Sequence, residues 1–303
     1  MSCYIRIHLT LAYCDREAWP LAKSHMEALK QALRAPELEI SDTLSCFEIY
    51  LKGIILQGTG DWNAAFSTYQ DPSLALPLLK TYPTTPLKET LAVLAALNTL
   101  LLIRLPSNPA HHFVPILLKQ LSIYVPASTS ANASSSSFSE NQHLASAHSF
   151  ILSTLQNHSA DSSHPTTNVL LTKQHLQRAL HLARSLANDQ LLCLCLSFFH
   201  SSFFEGIVGD QAVKSADTAQ IMANGSGSKL WTCVGDGMLA QTLELCGHTE
   251  QAAKFWEEGG KLKTELPATI REALKEDANV GAGEQERVRD SDMNMDDGER
   301  ECV

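Results

Sequence analysis

Apolar residues recur at steps of three and four along most of this chain, interrupted by two Ser- and Asn-rich stretches and a polar end, so the pattern predicts successive amphipathic helices. The run from Leu191 to Lys261 organises the rest. LLCLCLSFFHSSFFEG reads as an apolar helix, Gly206 to Gly209 turns the chain, and Ala212, Ala216, Ala219 and Ala223 form a small-residue stripe on the next helix. The plan then repeats. KLWTCVGDGMLAQTLELCG leads to a turn at Gly247, His248 and Thr249, and then to a helix carrying Ala252, Ala253 and Trp256.

Two antiparallel helices that touch through small residues, with aromatics filling the remaining space, are the plan of the tetratricopeptide (TPR) repeat, about 34 residues long. On that plan Leu239, Ala240 and Leu243 meet Ala252 and Trp256. SDTLSCFEIYLKGIILQGTGDWNAAFSTYQDPSLALP follows it too: Ser41 or Asp42 caps, Gly58 to Asp61 turns, and Gly53, Ala65 and Tyr69 take the small and aromatic positions. Lys52 and Pro72 depart from the consensus. The opening CYIRIHLTLAYC alternates like a strand. The helical spacing of Trp19, Ala22, Met26, Leu29 and Leu33, with Asp15 placed to cap, makes the opening an antiparallel helical partner instead.

From Pro86 to Leu105 the chain is apolar nearly all round, which predicts a helix central to the stack. Pro106 and Pro109 end it, and a shorter helix follows with Pro115 in its first turn, where proline is tolerated. The predicted fold class is all-α, a TPR-like superhelix of antiparallel helix pairs, that is, an alpha solenoid. Degenerate pairs are expected over 1–126, Ser/Thr/Asn-rich insertions with a short helix at His148 to Leu155 over 127–167, and C-terminal pairs over 168–266. An acidic, largely disordered tail is expected over 267–303, and the insertions are expected to be mobile. A repeat array that opens without a polar capping helix reads as N-terminally shortened.

Composition narrows the function. With 303 residues, 44% apolar and 18% charged, the chain can bury a core, and a formal charge of −10 disfavours gripping nucleic acid directly. Cys46, Cys193, Cys195, Cys233 and Cys246 lie on apolar helical faces, as buried thiols in a reducing compartment would. No apolar stretch reaches the roughly 18 residues of a membrane span. Cys193 and Cys195 with His200 have metal-ligand chemistry, but residues two apart on one helix point in different directions and no second ligand pair lies nearby. His111-His112 and Cys246 with His248 fail alike. The Gly-rich turns follow no strand and lack a phosphate-gripping Lys. Asp210, Asp217 and Asp236 read as solvated or capping residues. The expectation is therefore no enzyme, catalytic residue, cofactor, metal, membrane contact or small-molecule substrate.

The run CLSFFHSSFFEGIVGDQAVKSADTAQIMANGSGSKLWTCVGDGMLAQTLELCGHTEQAAKFWEEG resembles the C-terminal part of the cohesin loading factor family, the TPR subunit of the cohesin loader, in its fungal form. The order of pieces carries the resemblance: a Phe-rich helix, G-x-x-G-D-Q-A, a Ser/Ala helix, L-W, D-G-M-L-A and L-E-L-x-G. LAVLAALNTLLLIR resembles another segment of that family. Family members are longer, so an N-terminal part is expected to be missing.

The resemblance implies a nuclear subunit that wraps an extended segment of the loader's large HEAT-repeat subunit and, through it, serves cohesin and chromatin in sister-chromatid cohesion and chromosome segregation. On that reading the first helix of each pair lines a concave groove. The protein-binding residues implied are Tyr50, Ile54 and Gln57, then Ser197, Ser201 and Glu205, then Gln241 and Glu244. A generic TPR adaptor in another intracellular complex is the alternative.

Overall fold

The computed structural model describes residues 3–34, 42–76, 86–103, 113–124, 138–158 and 165–272. Helices pair along the chain: α1 (Cys3–Asp15) with α2 (Trp19–Leu33), and α3 (Asp42–Gly58) with α4 (Trp62–Tyr69). A short 3-10 turn, Pro72–Leu74, leads to α5 (Pro86–Ile103), α6 (Val114–Tyr124), α7 (Phe138–His158) and α8 (Pro165–Ser185). The last four are α9 (Asp189–Phe203), α10 (Asp210–Ser226), α11 (Lys229–Leu245) and α12 (Thr249–Glu265). Among the described residues there is no strand, and the chain is an all-α solenoid.

Local chemistry sets the helix ends. Asp61, Asn188 and Ser228 each accept a bond from a first-turn backbone N–H, those of Ala64 (3.3 Å), Leu191 (3.1 Å) and Trp231 (3.2 Å), satisfying donors that a helix start leaves open. Gly227, in the left-handed conformation at φ 69°, ends α10. Asp15 does not cap α2. It closes α1, and α2 begins after Ala18 with Pro20 in its first turn, where the ring presets φ and the missing N–H is no loss. Ser41, Pro77, Pro106, Pro109, His111-His112, most of both polar insertions and the acidic tail lie outside the described residues.

The helices form two layers. α1 touches α3, α3 touches α5, and the series continues through α7 and α9 to α11, so the odd-numbered helices make one continuous layer. α2, α4, α8 and α10 each pack on the odd helix that follows. α5 buries both faces, as its all-round apolar sequence predicts: Val93, Leu97 and Leu100 join Leu121, Phe150, Ile151 and Leu176 in the largest core, while Leu91, Ala95 and Leu102 meet Cys46, Ala65 and Tyr69.

Three side-chain expectations resolve differently. The alanine stripe of α10 is fully buried, and Gly235 of α11 passes so close that a Cβ there would lie 3.0 Å from the Gln220 Cα. Trp256 is 45% exposed, lying over Gly237 at the edge of the pair, and Phe255 packs beside Leu239, Leu243 and Ala252 in its place. The helix expected at His148 to Leu155 spans 21 residues, and Leu144, Phe150 and Ile151 put it in the main core. Its buried Ser146, Ser153 and Thr154 donate to the carbonyls of Ala179 (2.9 Å), Phe150 (2.6 Å) and Ile151 (2.8 Å), which makes a polar sequence compatible with an interior site.

The second and last pairs also meet. Trp62 packs with Leu230, Cys233, Leu262, Leu266 and Ile270, and the Thr269 hydroxyl donates to the Thr59 carbonyl. Among the described residues no helix is long and apolar enough to cross a membrane.

Candidate functional site

The eight residues implied as protein-binding separate into two sets. Tyr50 is buried at 7% exposure, its ring centroid 6.0 Å from that of Tyr69, and burial pushes its phenol pKa up. The Gln57 side-chain Oε1 accepts from the Tyr69 hydroxyl at 3.0 Å, and half-buried Ile54 packs against the same cluster. These side chains bind α3 to α4 and do not form an open face; Tyr50 in particular is a core residue, because the α3–α4 contact closes over it.

The second set is different. Ser201, Glu205, Gln241 and Glu244 are exposed and Ser197 is half-buried. Ser201 in the last turn of α9, Glu205 just past that helix, and Gln241 of α11 line a pocket of about 120 Å³ together with His200, Met238 and Thr242. Glu244 lies one helical turn beyond Gln241, and Ser197 one turn before Ser201, both outside the lining. The pocket sits between neighbouring helices of the odd-numbered layer.

His200 is a buried member of the lining. The ring is 5% exposed and its Nε2 lies 3.2 Å from the Thr242 Oγ1. The Thr242 hydroxyl also lies 2.8 Å from the Met238 carbonyl, and the His200 Nδ1 is buried with no partner among the described residues. Burial pushes the imidazole pKa down, so the ring is neutral at pH 7.

The family resemblance puts Ser201, Glu205 and Gln241 on a groove face, and it does not name His200, Met238 and Thr242, which line the pocket with them. The thiols of Cys193 and Cys195, the metal-ligand types that accompany His200 in the sequence, are buried, and burial raises the Cys195 pKa to about 12. No His/Cys/Asp/Glu group suited to a metal occurs among the described residues. Asp236, read as solvated or capping, is 2% exposed and accepts a bond from Gln220 Nε2 at 3.0 Å, because α10 and α11 approach closely there. Asp210 and Asp217 are exposed.

Antiparallel helix pairs stacked in two layers define the class of all-α solenoids. The cohesin loading factor family model matches residues 1–250 of the 303, and the chain belongs to that family, with its role in cohesin loading. No individual curated protein and no solved structure shows a significant match. The matched span takes in every odd-numbered helix and the pocket between α9 and α11.

Proposed function

We propose that this protein is a non-enzymatic TPR scaffold subunit of the nuclear cohesin loading complex, and that its odd-numbered helix layer binds an extended segment of the large HEAT-repeat subunit. The observation that carries this reading is the continuous odd-numbered layer, with Ser201, Glu205, Gln241 and Glu244 exposed at its C-terminal end. An extended segment laid across consecutive helices gains many weak contacts, and side chains that project from the layer select its register. The formal charge of −10 supports a subunit that leaves DNA contact to its partners.

The test measures binding of the large subunit's N-terminal segment to the full chain and to a Glu205→Lys, Glu244→Lys double variant. Both positions are exposed, so folding is expected to survive. Weakening of about tenfold or more, with an unchanged melting curve, is the expected result, since a misplaced charge at an interface opposes a complementary partner. Unchanged binding would remove these residues from the interface. Failure of the wild-type chain to bind the segment would favour a generic adaptor.

A further inference from the structure

We propose that the outward face of α8 is the docking site for the chain's own acidic C-terminal segment, residues 290–301. The proposal is independent of how the odd-numbered layer is used, because α8 belongs to the other layer, packed on α7 and α9.

In a chain whose formal charge is −10, the α8 sequence PTTNVLLTKQHLQRALHLARS carries Lys173, Arg178 and Arg184 and no Asp or Glu. Leu170, Lys173, Gln177, His181 and Arg184 follow one another at steps of three and four, so they share one stripe, and each is exposed. Thr172, Leu176, Ala179 and Ala183 on the opposite side are buried, which turns the basic stripe outward. None of the α8 cations makes an ion pair among the described residues. Lys173 rests over the Phe203 ring, 5.0 Å from its centroid. Burial and then the Arg178 charge push the His175 pKa down, so the positive field extends along the helix. Leu170, 57% exposed, adds an apolar contact at the N-terminal end of the stripe.

The occupant is argued from the rest of the chain. Asp290, Asp292, Asp296, Asp297, Glu299 and Glu301 stand against Arg300 alone, with Met293 and Met295 among them. Carboxylates interleaved with methionines complement cations that begin at an exposed leucine. The segment is also within reach. α8 lies two helix pairs before α12, and packed helices stand about 10 Å apart. From Glu272, the last described residue, to Asp290 the chain can extend to about 60 Å at about 3.3 Å per residue. Tethering sets an effective concentration of order millimolar, so contacts too weak to join separate molecules hold the segment. The segment lies beyond residues 1–250, the span that the family model matches. Docked on α8, it neutralises the basic stripe and leaves the odd-numbered layer open.

The test places a nitroxide on Cys302 of the full chain, in a Cys3→Ser, Cys246→Ser background that removes the half-buried thiols, and reads backbone amide intensities by NMR. The amides of Gln174, Gln177, His181 and Arg184 should lose intensity relative to the reduced label. The loss should vanish at about 1 M salt, where the screening length is about 3 Å. Lys173→Glu with Arg184→Glu should abolish it too; both side chains are exposed, so folding is expected to survive, and a melting curve checks this. Adding Asp290→Lys, Asp292→Lys, Asp296→Lys and Asp297→Lys to that variant should restore the loss, which damage to the fold would not. No loss on α8, a loss that persists in high salt or through the charge reversal, or a failure of rescue would each overturn the proposal. A mixture of unlabelled 15N chain with nitroxide-labelled 14N chain identifies the source: intensity loss there means that a second copy supplies the segment, and the intramolecular assignment fails. Binding of a DNA duplex to the stripe, with no effect of the label on α8, would make nucleic acid the occupant and overturn the proposal as well. Each outcome leaves the scaffold reading of the odd-numbered layer untouched.

Discussion

Glu17, in the first turn of the chain, holds the start of α11: its carboxylate accepts from the Ser228 hydroxyl, 211 residues away, and lies 3.4 Å from the Leu230 N–H. Ser228 Oγ in turn accepts from the Trp231 N–H at 3.2 Å. Residues from opposite ends of the described chain thus share the open donors of one helix start, with a carboxylate at its positive end. Glu17 reaches this position from a left-handed backbone at φ 55°, which turns the α1–α2 connection toward α11.

Glu17→Ala should therefore destabilise the last two helix pairs by about 1 kcal/mol, the usual loss on deleting a capping side chain. Hydrogen exchange reads the location. The amides of Leu230 and Trp231 should exchange faster while those within α5 keep their protection, because a solenoid passes damage on only through neighbouring interfaces. Uniform acceleration across the chain would contradict this.

Gly53 is fixed by Tyr69. A Cβ at position 53 would stand 2.4 Å from the Tyr69 Cε1, and that ring is held by Tyr50 and by its bond to Gln57. Gly53→Ala would gain about 1 kcal/mol of helix propensity and lose about 1–3 kcal/mol to overpacking, so a net fall in melting temperature is expected. Adding Tyr69→Leu should recover part of the loss. A double variant less stable than the sum of its parts would count against the clash as the cause.

The places where sequence reading worked and failed follow from the same physics. The alanine stripe of α10, Gly53 against Tyr69 and the two-faced apolar α5 were legible, because close helix contact demands small residues at helical steps and central burial demands apolar ones all round. α7 was misjudged in extent because its interior Ser and Thr hydroxyls bond to backbone carbonyls, which removes the burial penalty without changing a composition that resembles loop. The family resemblance implies that Ser201, Glu205 and Gln241 share a groove face. It could not reveal that Thr242 meets the buried His200 ring, since that depends on how α9 and α11 approach each other. The Glu17–Ser228 bond was equally invisible: no local pattern encodes a cap supplied from 211 residues away.

Ala252 and Trp256 make opposite predictions although they are one turn apart on α12. Ala252 is fully buried between Ala216, Leu239 and Leu243, so Ala252→Trp should overpack the α11–α12 pair and cost about 1–3 kcal/mol or more. Trp256 is 45% exposed, and Trp256→Ala should change stability by less than about 1 kcal/mol. Melting curves of both variants check the pair of outcomes. A larger loss from Trp256→Ala would mean that the tryptophan, not Phe255, anchors the helix.

Asp236 makes stability depend on pH in a direction opposite to the buried histidines. Burial raises its carboxyl pKa above 3.8, with the Glu258 charge adding to the rise and the Gln220 bond opposing it. The folded chain thus binds that proton more tightly than the unfolded chain, so the protonated acid's stabilising contribution is complete below pH 3.8 and is lost as pH rises through the elevated value. His148, His175 and His200 have pKa values depressed below 6.5, and their contribution is complete above pH 6.5 and lost as pH falls. Asp236→Asn removes the first dependence and leaves the second, while its amide oxygen can still accept from Gln220. The melting temperature of Asp236→Asn relative to wild type should accordingly be highest near pH 7 and decline as pH is lowered toward 3.8. A pH-independent difference between the two proteins would show that Asp236 carries no burial penalty on its charge.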